Sequence, residues 1–296
     1  MPRVLVDEVE LELTNLEKIY WPADGYTKGD LLSYYREVGP AAVTYLAGRP
    51  AVMNRFPDGI TGENFYQKDC PPHAPEWVRT AAVEHEEKTV RYVVHGDLAT
   101  LLWVANLGAI EMHAWLSRVP DLMRPDIAVI DLDPAEGATF AQVIEVAKLA
   151  RVALGEFGLE GFPKTSGATG LHLFVPVEPR HSFTEVTRAM KVVAELIVQA
   201  CPFATVERLV ERRRGKVYVD YLQNTFGKSM AFPYSVRPRP GAPVSAPLSW
   251  DELEEPDWRP GDLNIRTIPE RLAKKGDLYE GFFARRGTLE AILALA

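Results

Sequence analysis

Three aspartates carry the strongest chemical signal in the 296-residue chain. Asp131 and Asp133 stand two apart in the run Ile130-Asp131-Leu132-Asp133-Pro134. On a strand both carboxylates project from one face, with Cα atoms about 7 Å apart. Like charges that close repel unless one takes a proton or a cation lies between them, and oxygen ligands of this kind suit Mg²⁺ or Mn²⁺. An inert Asp-Pro turn at a strand end explains the same pair equally simply. Asp220 tips the balance: Val217, Tyr218, Val219 and Tyr221 around it are β-formers, so it is expected mid-strand, where an unpaired carboxylate is costly to bury. Three aspartates from two neighbouring strands are the usual ligand set of a two-metal phosphoryl-transfer site, whose ions clamp the attacking and leaving oxygens.

Groups suited to phosphate lie nearby in the chain. Ser166-Gly167-Ala168-Thr169-Gly170 supplies small residues and backbone N–H groups able to approach an anion, and His172 follows where it can hydrogen-bond the same group. A serine nucleophile elbow is excluded there, because Lys164 stands where that pattern requires glycine. Lys228 and Arg237, beyond Asp220, are natural partners for a triphosphate, the one as a point charge and the other as a fork. Asn15, Lys18 and Lys28 form a polar and cationic set suited to a terminal phosphate. Trp21, Phe65 and Tyr66 are candidates for base stacking, although aromatics in such apolar context commonly belong to the core.

The elements that position these groups follow from periodicity and caps. Leu31, Leu32, Tyr35, Val38 and Ala42 predict a helix over 28–46. Strands are expected over 49–56 and 90–94, a buried helix over 98–107, and irregular or extended chain over 110–115. Residues 127–132 form a short apolar run that Pro134 should end. Thr139 with Gln142 and Ser182 with Glu185 are capping boxes for helices reaching Leu154 and Ala200. Residues 164–170 read as a loop, with strands over 171–177 and 217–222. The order β-α-loop-β-α-β mixes strands and helices in one core, an α/β (α+β mixed sheet) class. One domain over 1–296 is expected, with an N-terminal part to about 120, a catalytic core over 121–237 and a C-terminal wrap over 238–296 that ends in a small helix near 289–295.

Composition narrows the classes further. With 47% hydrophobic and 25% charged residues the chain is an ordinary globular one, and no apolar run is long enough to span a bilayer. Residues 1–9 are too charged for a signal-peptide core, which points to the cytoplasm. Cys70 and Cys201 are too few and too far apart for a disulfide framework. A net charge of −8 argues against coating nucleic acid by bulk charge. Acid gathers in 84–87 and 251–257, whereas Arg208, Arg212, Arg213, Arg214 and Lys216 crowd one stretch that reads on charge alone as a solvated face.

Taken in order, these residues resemble a known family. The series Asn15-x-x-Lys18, Gly25-Tyr26-Thr27-Lys28, Tyr66-Gln67-Lys68, Asn106-Leu107-Gly108, Asp131-Leu132-Asp133-Pro134, Lys164-Thr165-Ser166-Gly167-x-x-Gly170-x-His172, Val219-Asp220-Tyr221 with Gln223-Asn224, and Tyr234-Ser235-Val236-Arg237 is similar to the polymerase domain of bacterial ligase D. That domain belongs to the archaeo-eukaryotic primase superfamily and serves non-homologous end joining. The likeness runs from about residue 13 to 272. It implies a primase-polymerase fold with an RRM-like catalytic core, and a nucleotidyltransferase that fills gaps or extends ends with NTP or dNTP and two Mn²⁺ or Mg²⁺ ions. Its partners would be double-stranded DNA ends or gaps bearing a 5′-phosphate, with Ku and a DNA ligase, in the nucleoid and away from any membrane.

Carried over by position, the resemblance makes Asp131, Asp133 and Asp220 the catalytic metal ligands, and Ser166, Gly167, His172, Lys228 and Arg237 the contacts to the nucleotide. Asn15, Lys18 and Lys28 match the pocket for a 5′-phosphate across a gap, and Tyr66 an aromatic that stacks on template DNA. Arg55, Lys68 and the Arg212–Arg214 run correspond to segments near DNA, and His113 to the primer-terminus region. Asn54 stands where some members carry lysine, and Ala168 where many have a polar or basic side chain. The alternatives are a primase making primers de novo, disfavoured by the missing Cys/His zinc cluster, a metal-dependent nuclease or phosphohydrolase on the same aspartates, and a non-catalytic end-binding scaffold.

Overall fold

The computed structural model describes residues 2–85, 87–254 and 258–296. Of the two acidic clusters, Glu86 in the first and Glu255, Pro256 and Asp257 in the second lie outside the described residues. The chain divides into two compact units: Met1–Trp115, Ser229–Ala246 and Gly261–Asp277 form the first, and Leu116–Lys228, Pro247–Pro260 and Leu278–Ala296 the second.

The second unit is built on a five-stranded sheet in the order Phe162–Thr165, Leu171–Pro176, Ile127–Pro134, Val217–Asp220, Ala204–Thr205. All pairings are antiparallel except the last. Helices Phe140–Gly155 and Phe183–Ala200 pack on this sheet and on each other. Both begin at the expected capping boxes, each with the Ser or Thr oxygen accepting from the N3 backbone and the N3 side chain reciprocating. Val186, Met190, Val193 and Ile197 recur at helical spacing and are buried, each contributing about 1.5–3 kcal/mol through burial. Asn224 laces the turn after Val217–Asp220 to the central strand: its Oδ1 accepts from Val129 N–H at 2.8 Å and its Nδ2 donates to Val129 O at 2.7 Å.

The first unit holds a four-stranded sheet in the order Ser229–Ala231, Ala109–Trp115, Ala51–Arg55, Phe65–Gln67. Helix Lys28–Leu46 packs on helix Leu98–Asn106, and the approach is close enough that a Cβ at Gly39 would meet Leu98 Cδ1 at 2.2 Å. Buried Tyr35 ties that helix to the sheet: its hydroxyl donates to Ile110 O at 2.6 Å and accepts from Val236 N–H at 3.0 Å, which holds Ser235–Val236 beside Ala109–Trp115. Trp21 is fully buried with its indole N–H donating to Arg239 O, so it belongs to the core and not to a stacking surface.

Several expectations change. Lys164 and Thr165 are strand residues, not loop, because 162–165 pairs with 171–174 and the true turn is only Ser166–Gly170. Pro134 ends the central strand as expected, as its last residue opposite Val217, where a missing N–H is tolerated. Residues 109–115 are a regular strand. An unforeseen hairpin, Arg3–Val6 with Val9–Glu12, turns at Asp7 and Glu8 with φ of 47° and 65°, the left-handed pair of a tight hairpin turn without the glycine that usually advertises it. Both cysteines are free and buried. Among the described residues no helix is long and apolar enough to cross a membrane.

Candidate active site

Register in the second unit produces a cross-strand row. Lys164 pairs with His172, His172 with Asp131, and Asp131 with Asp220, so four ionisable residues line up across four strands on one face. Asp133, two residues on, shares that face opposite Tyr218. Asp131 and Asp220 are 6% and 9% exposed, whereas Asp133 is exposed. The row is closely spaced as well as aligned: Lys164 Nζ lies 2.8 Å from His172 Nδ1, and His172 Nε2 lies 3.3 Å from Asp131 Oδ1. Asp220 is held by its own turn, Oδ1 accepting from Leu222 N–H at 2.7 Å and Oδ2 from Gln223 Nε2 at 3.2 Å. Tyr218 carries Arg213 3.4 Å above its ring, and burial, with the Asp220 charge, pushes its phenol up to about 12.

The Gly loop meets this row. Ser166, itself buried, accepts at Oγ from the N–H groups of Ala168 and Gly170, both at 3.1 Å, and its N–H donates to Gly170 O. Gly167 sits at φ 72°. Gly170 runs against the central strand and next to Asp133, whose Oδ1 would lie 3.4 Å from a Cβ there. Lys228 is exposed at the end of the turn that follows Thr225. Arg237 belongs to the first unit.

The three aspartates on this face offer carboxylate oxygens, which suit a hard divalent cation better than zinc or copper. An opposed pair, Asp131 and Asp220, and a third carboxylate on the same face fit that use. As they stand, no three His, Cys, Asp or Glu side chains converge closely enough among the described residues to hold one ion between them. The sheet supplies the shared face and the opposed pair.

The first unit gathers two further groups. Around buried Glu111 stand Arg237, Nε 2.7 Å from Oε1, Asn54, whose Nδ2 donates to Oε2 at 2.8 Å, and His113, Nε2 at 3.6 Å. Tyr66 is opposite Asn54 on the sheet edge and 61% exposed, with Phe65 beside it 47% exposed and Lys68 just beyond, also exposed. Burial alone would raise the Glu111 carboxyl, but His113, Arg237 and the Asn54 amide outweigh it and hold it down at about 2. A depressed carboxyl contributes stability above its ordinary value of 4.5 that is lost as pH falls through 2. Glu111→Gln should therefore narrow its stability deficit against wild type as urea unfolding is moved from pH 6 towards pH 2. An unchanged deficit over that range contradicts the assignment. Nothing in the linear sequence singles out Glu111; its partners come from strands and a turn far apart in the chain.

The second group joins Asn15, Lys18 and Lys28 through backbone bonds. Lys18 N–H donates to Asn15 O at 3.0 Å and Lys28 N–H to Lys18 O at 2.8 Å, with Asn15 exposed at φ 55°. Lys28 is buried, its Nζ donating to Thr14 Oγ1 at 2.9 Å, and Thr14 N–H in turn donates to Asn106 Oδ1. Lys18 is ion-paired with Asp58. Burial first, then the charges of Lys18 and Arg55, pull the Lys28 ammonium down to about 8. Arg55 donates to Leu107 O and to Gln67 Oε1. Cations crowded around Lys28 in this way favour an anion among them.

Known proteins resemble this chain in sequence and in fold. The profile of one family, described as "LigD, primase-polymerase domain", matches residues 27–279. The multifunctional non-homologous end joining DNA repair protein LigD of Mycobacterium tuberculosis (strain H37Rv) is 37% identical over 282 residues, covering 92% of this chain and 37% of that protein. The bifunctional non-homologous end joining protein LigD of Bacillus subtilis is 34% identical over 276 residues, covering 93% of this chain and 44% of that protein. The chain thus spans well under half the length of these relatives. A solved structure, the polymerase domain from Mycobacterium tuberculosis ligase D in complex with DNA, superposes with a TM-score of 0.88 at 36% identity, covering 94% of this chain and 99% of that one. On a profile match across most of its length, and on this likeness in sequence and fold, the chain belongs to the LigD primase-polymerase domain family, whose members are nucleotidyltransferases.

Proposed function

We propose that this chain adds nucleotides to the 3′-hydroxyl of a primer strand at DNA gaps and ends during non-homologous end joining, with Asp131, Asp133 and Asp220 as ligands of two divalent ions. The observation that carries the reading is the direct cross-strand pairing of Asp131 with Asp220, with His172 Nε2 3.3 Å from the Asp131 carboxylate. Mg²⁺ or Mn²⁺ held there would lower the pKa of the attacking hydroxyl and neutralise the leaving pyrophosphate. The chain's own residues then orient and bind. Ser166, Gly167 and His172 lie where a phosphate chain meets backbone N–H groups and an imidazole. Lys228 and Arg237 supply positive charge, Arg237 with half of its fork already committed to Glu111. Tyr66 offers an exposed ring for stacking, Arg55 and Lys68 border it on the sheet or in sequence, and His113 lies two strands away opposite Val52. Ku and a DNA ligase are the expected partners, in the cytoplasm at the nucleoid.

A gapped duplex with a labelled primer tests the reading. Extension that requires nucleoside triphosphate and a divalent ion is expected, with NTP and dNTP compared in Mg²⁺ and in Mn²⁺. Shortening of the primer without nucleotide would instead mark a nuclease, and synthesis without any primer a primase.

Asn15, Lys18 and Lys28 are proposed to hold the 5′-phosphate on the far side of the gap. The preference for a 5′-phosphorylated over a 5′-hydroxyl gap should fade as pH rises through about 8, because Lys28 sheds its proton there when no anion is bound. Lys18→Ala with Lys28→Ala should cost about tenfold in affinity for the phosphorylated gap and flatten the log–log salt slope by about 1–2. Equal affinity of the unmutated protein for both gaps removes the basis of this site.

A further inference from the structure

Lys164 has no place in the functional assignments above, yet it is a fully buried lysine at the end of the row that contains two of the aspartates. Taking an ammonium out of water costs several kcal/mol, so filling this space with an apolar side chain would be the simpler solution for packing alone. Its surroundings indicate what the charge does. Nζ lies 2.8 Å from His172 Nδ1 and 4.9 Å from the centre of the Phe174 ring, and beyond the imidazole stand Asp131 and then Asp220. An ammonium has three donors and no acceptor, so its bond to the ring makes Nδ1 the acceptor. The neutral imidazole then carries its proton on Nε2, the atom 3.3 Å from Asp131 Oδ1.

We propose that Lys164 is a positioning residue of the catalytic centre, fixing the tautomer and ring orientation of His172 so that its Nε2–H edge is presented to Asp131. This rests on the reading of Asp131 as a metal ligand. His172 is then an outer partner of the ligand Asp131, held in place by Lys164, and loss of such an outer partner weakens metal binding or activity 10- to 100-fold, roughly, without touching the metal. The β-pairing explains why lysine can act here: strand register, not loop geometry, puts it opposite His172, and the neighbouring Leu171–Pro176 strand sets the imidazole opposite Asp131.

Histidine-selective ¹⁵N NMR of the metal-free protein tests this. The wild type should show His172 with Nε2 protonated and Nδ1 bare. Lys164→Met, close in length and uncharged, should lose that single tautomer, bind Mn²⁺ about tenfold more weakly and lower kcat about tenfold. A wild-type ring protonated at Nδ1 overturns the proposal whether or not the variant folds. A folded Lys164→Met protein with the wild-type tautomer and wild-type Mn²⁺ affinity also overturns it. Failure of the underlying reading is visible separately: an Asp131→Ala protein that binds Mn²⁺ as the wild type does would remove the metal assignment, while the ring spectrum still decides the role of Lys164.

Discussion

Replacing Asp131 or Asp220 by alanine is expected to abolish nucleotide addition, lowering kcat by about 1,000-fold or more, while affinity for gapped DNA stays within a few-fold of wild type. The size follows from the role: a carboxylate that holds an ion at a transferring phosphoryl group supports several kcal/mol of transition-state stabilisation, and each 1.36 kcal/mol is about tenfold in rate. The two variants should differ in a second readout. Asp220 also accepts from Leu222 N–H and Gln223, so its removal loosens the turn that Asn224 anchors and should lower the melting temperature. Asp131 lies 3.3 Å from the His172 side chain, and Asp131→Asn should keep the fold while losing activity. Primer extension with gel-shift on the same substrate separates the two effects. Templated synthesis at near wild-type rate by either variant contradicts the assignment of these aspartates.

Gly170→Ala is the second change with a large expected effect. A Cβ at this position would stand 2.1 Å from the carbonyl oxygen of Leu132, a backbone atom that cannot swing aside. Relief requires the start of Leu171–Pro176 to part from the central strand at the Leu132–Leu171 pair, one residue from Asp131 and His172. Overpacking that forces backbone shifts costs about 1–3 kcal/mol and occasionally more, and a contact this short belongs at the upper end. The variant should melt roughly 10 °C lower and, at temperatures where it is folded, should extend primers at least tenfold more slowly because Asp133 and the phosphate loop move together. Thermal melting beside extension at 20 °C measures both, and a stable, fully active Gly170→Ala protein would show that the loop does not constrain the aspartates.

Much of the site was legible in the linear chain because it lies on local patterns. The i, i+2 spacing of Asp131 and Asp133 carries a shared face in the period of a strand, and the capping boxes at Thr139 and Ser182 mark both helix starts. Helix Lys28–Leu46 agrees with its apolar period to the residue. What escaped depends on pairing between distant segments. Residues 162–165 are too short to declare themselves a strand beside a Gly-rich turn, so the alignment of Lys164 with His172 had no local signature. The cluster around Glu111 and His113, two apart on one strand, draws on Asn54 and Arg237 from two other stretches of chain, and no spacing rule connects the three. The Asp7–Glu8 turn escaped because side chains other than Gly or Asn seldom take positive φ at both positions.

The account stands on where divalent ions bind. Mn²⁺ anomalous scattering from crystals grown with the metal and a non-hydrolysable nucleoside triphosphate locates them without reference to activity. Peaks should appear on the sheet face between Asp131 and Asp220 and beside Asp133, with the phosphates running toward Ser166 and His172. Manganese and nucleotide bound elsewhere, with these carboxylates left unligated in a protein that still extends primers, would contradict it.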